Sequence, residues 1–467
     1  MEWLKVLPPL VAIAVVLWKK EVILALFLAV VTSELLLLWF SPEAQGGLVV
    51  GVFEGSLNAI ERIIGVFSSE GNTRILLFST LVGALLALMR YSGGVLALVN
   101  RLTNMGLAKT PRQVSLLATF TGIVVFIESS LSILTAGILS RGLFDKFKIS
   151  RAKLAYIIDS TSAPISIIIL LNAWGAYVLA LLSNYNFDGF EVTAVQVLWG
   201  TIPFNFYALV TLAIVFYSAI TNKYYGPMAT STNKIEHVNT EEESGIVASK
   251  ARYMVLPLMI LVFGMVGFML YTGQGDLTQG SGSKSVLYAT VLATFVAYGL
   301  MVSSGKFQHK QLMHISFNGM AELLPIVMIL LLSLALGASL KVLGTGVYIA
   351  QLVGEFLPVY IVASMIFLVG AMISFSTGTS WGTFAILIPI AVPIIILMEI
   401  PPSLVIAAVL GGGVFGDHCS PISDTTAVSS IASGCDLLEH VRTQLPYALT
   451  AGTIAFVMYF VASLLML

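Results

Sequence analysis

The chain has 467 residues, of which 58% are hydrophobic and only 10% are charged, and its formal net charge is −1. Soluble proteins carry about 25% charged residues, so this chain has too little charge to keep its apolar surface in water. Two cysteines exclude a disulfide-rich scaffold, and 23 basic against 24 acidic residues leave no basic excess for nucleic acid. Continuous apolar runs exclude a membrane β-barrel. The composition therefore predicts an all-α polytopic membrane protein.

Apolar runs follow one another along the whole chain, and a membrane-spanning helix needs about 20 apolar residues. The runs cover residues 4–18, 22–40, 75–97, 113–140, 154–184, 194–217, 254–272, 285–304, 324–342, 357–398, 403–430 and 446–467. The run 113–140 has strongly basic flanks, which the positive-inside rule places in the cytoplasm on both sides. The run 357–398 is too long for one crossing and contains Ser376–Ser380 in its middle. We interpret these two runs as re-entrant hairpins and the other ten as crossings.

The basic residues also predict the orientation of the chain. With Lys19 and Lys20 inside, the loop 218–253 falls in the cytoplasm and both termini fall outside. The N-terminal segment lacks the basic region of a cleavable signal, so we interpret the first run as a membrane helix.

The two halves, residues 1–217 and 254–467, show the same order of features. In each half, a span is followed by a hairpin and then by a span that polar residues and a proline interrupt, at 154–184 and at 403–430. A Pro-Ile-Ser triplet begins at Pro164 in one and at Pro421 in the other. Because each half has five crossings, the second must be inverted. Inverted repeats with interrupted helices are typical of secondary transporters.

Carboxylates inside apolar runs are the strongest functional signal, since each costs about 2.5–3.5 kcal/mol at a helix centre. Asp417 and Asp424 flank Pro421, and Asp159 precedes Pro164. Proline breaks a helix and leaves backbone carbonyls without partners. Carboxylate, hydroxyl and carbonyl oxygens suit a small alkali cation. We therefore predict Na⁺ ligands at Asp417, Asp424 and Asp159.

The predicted ion- and substrate-binding residues lie at the two breaks and at the two hairpin tips. They are Glu128, Ser129, Asp159, Ser160, Thr161, Ser162, Asn172, Ser376, Thr377, Thr379, Ser380, Asp417, His418, Ser420, Ser423, Asp424 and Thr425. Glu128 is a candidate proton carrier or ligand. For His418 two interpretations stand side by side, a group that titrates near neutral pH and a group that hydrogen-bonds the broken helix.

Other charged residues are expected to have structural roles. We expect Glu34 and Glu399 at membrane interfaces, and a solvated helix face made of Asp436, Glu439, His440 and Arg442. Arg90 and Lys341 are expected to anchor span ends, with the balancing of buried carboxylates as the alternative. Cys419 and Cys435 lack metal-binding spacing.

The sequence contains neither a nucleotide-binding loop nor a hydrolytic constellation. We therefore expect a transporter that is not an enzyme, that has no cofactor, and that uses Na⁺ and H⁺ as coupling ions.

Five segments resemble the NhaC family of sodium/proton antiporters, which belongs to a larger ion-transporter superfamily. They are Gly416–Thr426, His440–Tyr447, Thr379–Thr383, Asp159–Pro164 and Leu171–Tyr177. The resemblance implies Na⁺/H⁺ exchange, although the family also includes exchangers of organic acids. It further implies a scaffold domain, a mobile domain with two re-entrant hairpins, an elevator-like movement and a homodimer. Together with the basic loops it implies the inner membrane of a bacterium.

Three functions are weighed on this basis. Na⁺/H⁺ exchange is the first of these hypotheses. Na⁺-coupled transport of a small organic acid or amino acid comes second, because the Ser/Thr-rich tips with Asn172 and Trp174 exceed what a bare cation needs. A channel or a non-transporting membrane scaffold comes third, and interrupted helices in inverted halves argue against both. The expected partners are the lipid bilayer, the two ions, an organic solute under the second function, and a second copy of the chain, but no nucleic acid.

Overall fold

The regular structure of the described part of the chain is entirely helical. In this computed structural model the described residues are 2–40, 48–94, 97, 109–126, 129–187, 189–231, 249–275 and 280–466. Three short 3₁₀ helices cover Glu2–Val6, Val66–Ser68 and Ile202–Phe204.

Among the described residues, twelve α-helices form the first half and the segment that follows it. They are α1 (Leu7–Lys19), α2 (Val22–Phe40), α3 (Leu48–Gly65), α4 (Glu70–Tyr91), α5 (Pro111–Val124), α6 (Ser129–Lys146), α7 (Arg151–Ser160), α8 (Ala163–Ser166), α9 (Ala173–Leu182), α10 (Ala194–Gly200), α11 (Phe206–Thr221) and α12 (Pro227–Thr230).

Nine further α-helices lie in the described residues of the second half. They are α13 (Arg252–Thr272), α14 (Gly282–Ser303), α15 (His309–Leu343), α16 (Thr345–Phe356), α17 (Val359–Thr377), α18 (Ser380–Leu397), α19 (Pro402–Cys419), α20 (Asp424–Ser433) and α21 (Leu437–Met466).

Within the described residues, nine helices are long and apolar enough to cross a membrane, which confirms the predicted polytopic membrane class. Two of them, α17 and α18, are the arms of the predicted hairpin 357–398. The other seven each overlap a predicted crossing, although α19 covers only the first part of the run 403–430. The predicted crossings at 4–18, 154–184 and 194–217 consist of shorter helices, because polar residues and prolines interrupt them.

Each predicted hairpin contains two helices, α5 and α6 in the first and α17 and α18 in the second. Helices α17 and α18 meet at Gly378 and Thr379, and Gly378 has a φ of +67°, which favours glycine. A side chain on Gly378 would also lie 2.6 Å from the carbonyl oxygen of Ile422, so the tip packs directly on the break between α19 and α20. That the hairpins are re-entrant and that the halves are inverted repeats stay predictions.

The breaks have local causes in the sequence. The first interrupted span divides into α7, the single turn α8 and α9, with residues 167–172 outside any helix. Asn172 caps α9 by accepting the backbone N–H of Gly175 at 3.0 Å. The second interrupted span divides into α19 and α20, and the side chain of Ser423 caps α20. These caps stabilise new helix starts immediately after the breaks.

Close packing holds the second break against the second hairpin. A side chain on Gly416 in α19 would lie 2.6 Å from the backbone nitrogen of Phe375 and 2.7 Å from Cβ of Ser374. Helices α17 and α19 therefore approach backbone to backbone, as small residues allow in membrane proteins. The buried apolar core next to this contact includes Val405 to Leu410.

Candidate functional site

Asp417 lies at the end of α19, immediately before the second break. Its side chain is buried, with 2% of the residue exposed. Its Oδ2 accepts a hydrogen bond of 2.7 Å from the hydroxyl of Ser380 at the tip of the second hairpin. Its Oδ1 has no hydrogen-bond partner among the described residues. Since an unpaired buried oxygen is costly, this atom is available for a cation or a proton.

The second hairpin tip is fastened to the same break by further hydroxyls. Ser420 donates to the carbonyl of Phe375 at 2.8 Å, and Thr379 caps α18 by accepting from Gly382. Ser423 and Thr425 share a hydrogen bond of 3.0 Å between their hydroxyls. Hydroxyl groups therefore hold the second hairpin tip and the residues of this break together next to Asp417.

Asp424 begins α20 on the other side of the break. It is exposed, and its Oδ1 accepts the backbone N–H of Thr425 at 2.8 Å. Its carboxylate interacts electrostatically with that of Asp417. The two charges therefore flank the break but differ in environment, one buried and one open to a cavity.

Asp159 ends the helical stretch before the first break and is completely buried. Its Oδ2 accepts from Gln444 Nε2 at 2.7 Å and lies 3.2 Å from His440 Nε2. Its Oδ1 has no hydrogen-bond partner among the described residues. The structure thus supplies Asp159 with partners from α21, a helix to which the sequence analysis gave no part in the site.

The expectation of a solvated face at Asp436–Arg442 is wrong for His440. This residue has no exposed surface, whereas Asp436, immediately before the helix, and Arg442 on the helix are exposed. His440 and Gln444 are four residues apart and share a helix face, which turns toward Asp159. The four-residue spacing of His440 and Gln444 could have indicated a buried helix face. The charged residues nearby favoured a solvated face instead.

His418 joins the two breaks. One ring nitrogen lies 3.0 Å from the hydroxyl of Ser160 and the other lies 2.7 Å from the hydroxyl of Tyr207 in α11. Its backbone carbonyl accepts from Gln444 at 2.7 Å. Both ring nitrogens are therefore engaged with side chains from the first half, so the ring links the halves rather than bonding the backbone of its own broken helix.

The first hairpin tip is tied to the first break in the same manner. Ser162 donates to the carbonyl of Ser129 at 3.2 Å, and the amide of Asn172 donates to the carbonyl of Phe126 at 3.1 Å. Thr161 instead donates to its own helix at Ile157. Glu128, the predicted proton carrier, lies outside the described residues.

The remaining predicted tip residues bond within the second hairpin. Ser376 is half-buried and donates to Met372 of its own helix, and Thr377 donates to Ile373. Neither hydroxyl is recorded in contact with Asp417 or Asp424. The structure therefore brings Ser380, rather than Ser376 or Thr377, to the carboxylate.

A cavity of about 240 Å³, here called the tip cavity, opens between both hairpin tips and helices α4 and α15. Its lining includes Ser129, Ser130, Trp174, Trp381 and Asp424. The two indole rings are 5.2 Å apart between centroids. Ser129 and Asp424 in this lining were predicted as site residues, whereas Trp381 was not.

The opposite wall of the tip cavity comes from α4 and α15 and contains an ion pair. Arg90 and Glu322 lie 2.5 Å apart, and both are substantially exposed. Arg90 was expected to anchor a span end. It lies in the last turn of α4, at the tip cavity, and is paired with a carboxylate from α15.

The expectation that Glu34 lies at a membrane interface is wrong. Its side chain is buried, with 4% of the residue exposed, rather than placed at a membrane interface. It forms an ion pair of 2.7 Å with Arg62 of α3. Because a lone buried charge is expensive, the partner from α3 explains how α2 accommodates it.

Comparisons with known proteins agree with this architecture. Residues 154–464 match the model of the Na⁺/H⁺ antiporter family. An uncharacterized protein of Haemophilus influenzae is 31% identical over 98% of this chain and 90% of its own length. The malate-2H⁺/Na⁺-lactate antiporter of Bacillus subtilis is 31% identical over 37% of this chain and 36% of its own length.

Solved structures share the fold. One of them is that of Neisseria gonorrhoeae MtrF, described as illuminating a class of antimetabolite efflux pumps, which superposes with a TM-score of 0.63. It covers 94% of both chains at 14% sequence identity. At that identity the similarity concerns the fold alone.

Proposed function

Because this chain belongs to the Na⁺/H⁺ antiporter family, we propose that it is a secondary transporter that exchanges Na⁺ for H⁺ across the inner membrane of a bacterium. The observation that carries the proposal is the environment of Asp417. This buried carboxylate at a helix break accepts the Ser380 hydroxyl with one oxygen, and its other oxygen has no hydrogen-bond partner among the described residues. Buried carboxylates at interrupted helices are where transporters bind coupling ions.

Na⁺ and H⁺ would compete for Asp417. The ionised carboxylate attracts Na⁺, and the oxygens around the break complete the coordination. Protonation removes the charge and releases Na⁺. Among the described residues there is no group of three or more His, Cys, Asp and Glu side chains that could hold a metal ion. We therefore propose that Asp417 and hydroxyl or carbonyl oxygens form the main Na⁺ site, with Asp424 close by.

Asp159 has a different place in this mechanism. Its hydrogen bonds to His440 and Gln444 occupy one carboxylate oxygen, and His418 lies 3.8 Å from the same oxygen. Na⁺ would reach Asp159 only through its other oxygen, Oδ1. We propose that Asp159 is a secondary ligand that responds to the occupancy of Asp417 through His418, the residue next to Asp417 in sequence.

The transport step is proposed as an elevator-like movement. Each hairpin tip is hydrogen-bonded to the break in its own half, and His418 joins both breaks. These contacts favour a mobile unit that contains both hairpin tips and both helix breaks. We propose that this unit moves as one body along α4 and α15. We also propose that the protein forms a homodimer and that both termini lie outside the cytoplasm.

A liposome experiment tests the exchange. Purified protein is reconstituted with a trapped pH dye, and Na⁺ is added outside without any organic solute. We expect a rapid Na⁺-dependent pH change that is lost in Asp417→Asn, which keeps the shape but removes the charge. We also expect the KM for Na⁺ to fall as the pH rises, because fewer protons compete.

Asp436→Asn is the matched control, because Asp436 is exposed and caps α21 through an oxygen that asparagine retains. Full exchange activity in Asp417→Asn would exclude Asp417 as the exchange site.

The tip cavity favours a second candidate function, Na⁺-coupled transport of a small organic acid or amino acid. Two indole rings, two tip serines and Asp424 line a space larger than a bare cation needs. The malate-2H⁺/Na⁺-lactate antiporter shows that relatives include carriers of organic acids. A reconstituted protein that moves no protons on addition of Na⁺, yet is stabilised by an organic acid only when Na⁺ is present, would favour this function.

A further inference from the structure

A second cavity among the described residues is larger than the tip cavity. A space of about 700 Å³, here called the charged cavity, lies where α2, α3 and the end of α15 meet the turn after α9. Its charged lining consists of Glu34, Glu61, Arg62 and Lys341. None of these residues belongs to the site proposed for ion exchange. A volume of this size suits a small organic molecule.

One wall of this cavity contains an ion pair. Glu34 and Arg62 are 2.7 Å apart, and Glu34 Oε1 lies 2.7 Å from the hydroxyl of Ser339 in α15. Three helices thus hold the Glu34 carboxylate in place with its charge balanced. The pair therefore leaves the cavity with no net charge of its own.

The other two charges are open to a ligand. Glu61 and Lys341 are exposed, and the structure records no side-chain hydrogen bond or ion pair for either of them with any described residue. Three amide side chains, Asn58, Asn72 and Asn184, line the same space. The cavity therefore presents one acidic group, one basic group and neutral hydrogen-bonding groups.

We propose that the charged cavity binds a small zwitterion, whose acidic group meets Lys341 and whose ammonium group meets Glu61. A simple cation would be attracted by Glu61 and repelled by Lys341, and a simple anion would experience the reverse. A dipolar molecule satisfies both at once, and charge-assisted hydrogen bonds give it an advantage over either single ion. A free amino acid and the headgroup of phosphatidylethanolamine share this chemistry.

Binding is tested with the full chain in detergent. L-glutamine is the probe, because it carries both charges and an amide. Glutaramate lacks the ammonium group and 4-aminobutanamide lacks the carboxylate, so they are the matched comparisons. We expect L-glutamine to raise the Tm, and neither analogue to do so at equal concentration. Lys341→Met and Glu61→Gln should each weaken the apparent affinity about tenfold.

Control variants and a lipid comparison complete the design. Lys306→Met and Glu355→Gln change exposed residues outside the cavity and should bind L-glutamine like the parent chain. In nanodiscs, phosphatidylethanolamine is compared with phosphatidylglycerol. Stabilisation by phosphatidylethanolamine alone, lost in Lys341→Met, would support the site and identify a lipid as its source.

Two results would overturn the proposal. One is that neither zwitterion stabilises the protein more than the singly charged compounds. The other is that Lys341→Met and Glu61→Gln respond like the parent chain. Both readouts measure binding, so they are independent of whether the protein exchanges Na⁺ for H⁺.

Discussion

The buried carboxylates show how residue type and position together define the site. Asp417 and Asp159 were predicted because each precedes a proline inside an apolar run, and both are buried at breaks. Their partners were less predictable. Ser380 lies 37 positions before Asp417 and His440 lies 281 positions after Asp159. Contacts of that separation depend on tertiary packing, which no local pattern encodes.

Ser380 offers a direct test of the cation site. In Ser380→Ala, Asp417 loses its hydroxyl partner and the site loses an oxygen, so we expect the KM for Na⁺ to rise about tenfold. Ser380→Thr keeps the hydroxyl and should remain near the parent value. Measurement of Na⁺-dependent proton flux against Na⁺ concentration gives both constants. An unchanged KM in Ser380→Ala would remove this hydroxyl from the site.

His440 offers a test of structural coupling. In His440→Ala, the buried carboxylate of Asp159 loses a partner, and we expect a loss of about 1–3 kcal/mol in the free energy of unfolding. The Tm in detergent reports the change. His314→Ala, in which the histidine is exposed and contacts Asn318, should leave the Tm unaltered. Equal Tm values for both variants would show that His440 is not needed to hold Asp159.

At the scale of helices, the interruptions were predictable and the lengths were not. Polar residues with a proline indicated both breaks. Helix α15 extends from His309 to Leu343, well beyond the predicted run 324–342, because Pro325 is accommodated inside it. Helices α3 and α16 were not predicted at all. Both mix apolar and polar residues, so a search for continuous apolar runs does not detect them.

The approach of α17 to α19 can be tested through Gly416. A methyl group there would collide with the backbone near Phe375, so Gly416→Ala should lower the Tm and reduce transport. Gly267→Ala is the matched control, because a side chain at Gly267 in α13 meets nothing within 4 Å. Alanine there should be neutral or stabilising by about 0.5–1 kcal/mol. Equal effects of the two substitutions would contradict the close contact.

For the whole molecule, the membrane class followed from composition alone, whereas the relative movement of its parts needs experiment. Ser333 in α15 donates to the carbonyl of Ala385 in α18 at 2.6 Å, so the two helices touch at this level. If the second hairpin moves along α15, this contact must break in every transport cycle.

A cross-link tests that movement. With Cys419 and Cys435 replaced by serine, Ser333→Cys combined with Ala385→Cys should form a disulfide under oxidant and stop transport, and reduction should restore it. Each single cysteine variant should transport normally under oxidant. Full transport by the cross-linked protein would contradict sliding of α18 against α15.

Helix α15 contributes to both cavities, and this has a consequence for the membrane potential. It lines the tip cavity up to Ile326 and the charged cavity from Ser333 onward. Only residues 327–332 separate the two, about 10 Å at 1.5 Å per residue. Where water fills both cavities, the voltage falls mainly across this short partition rather than across the whole bilayer. An elementary charge that crosses the whole voltage drop gains or loses about 2.3 kcal/mol per 100 mV. Since most of the drop lies across this partition, a charge that moves by only one third of the membrane thickness makes ion exchange sensitive to voltage.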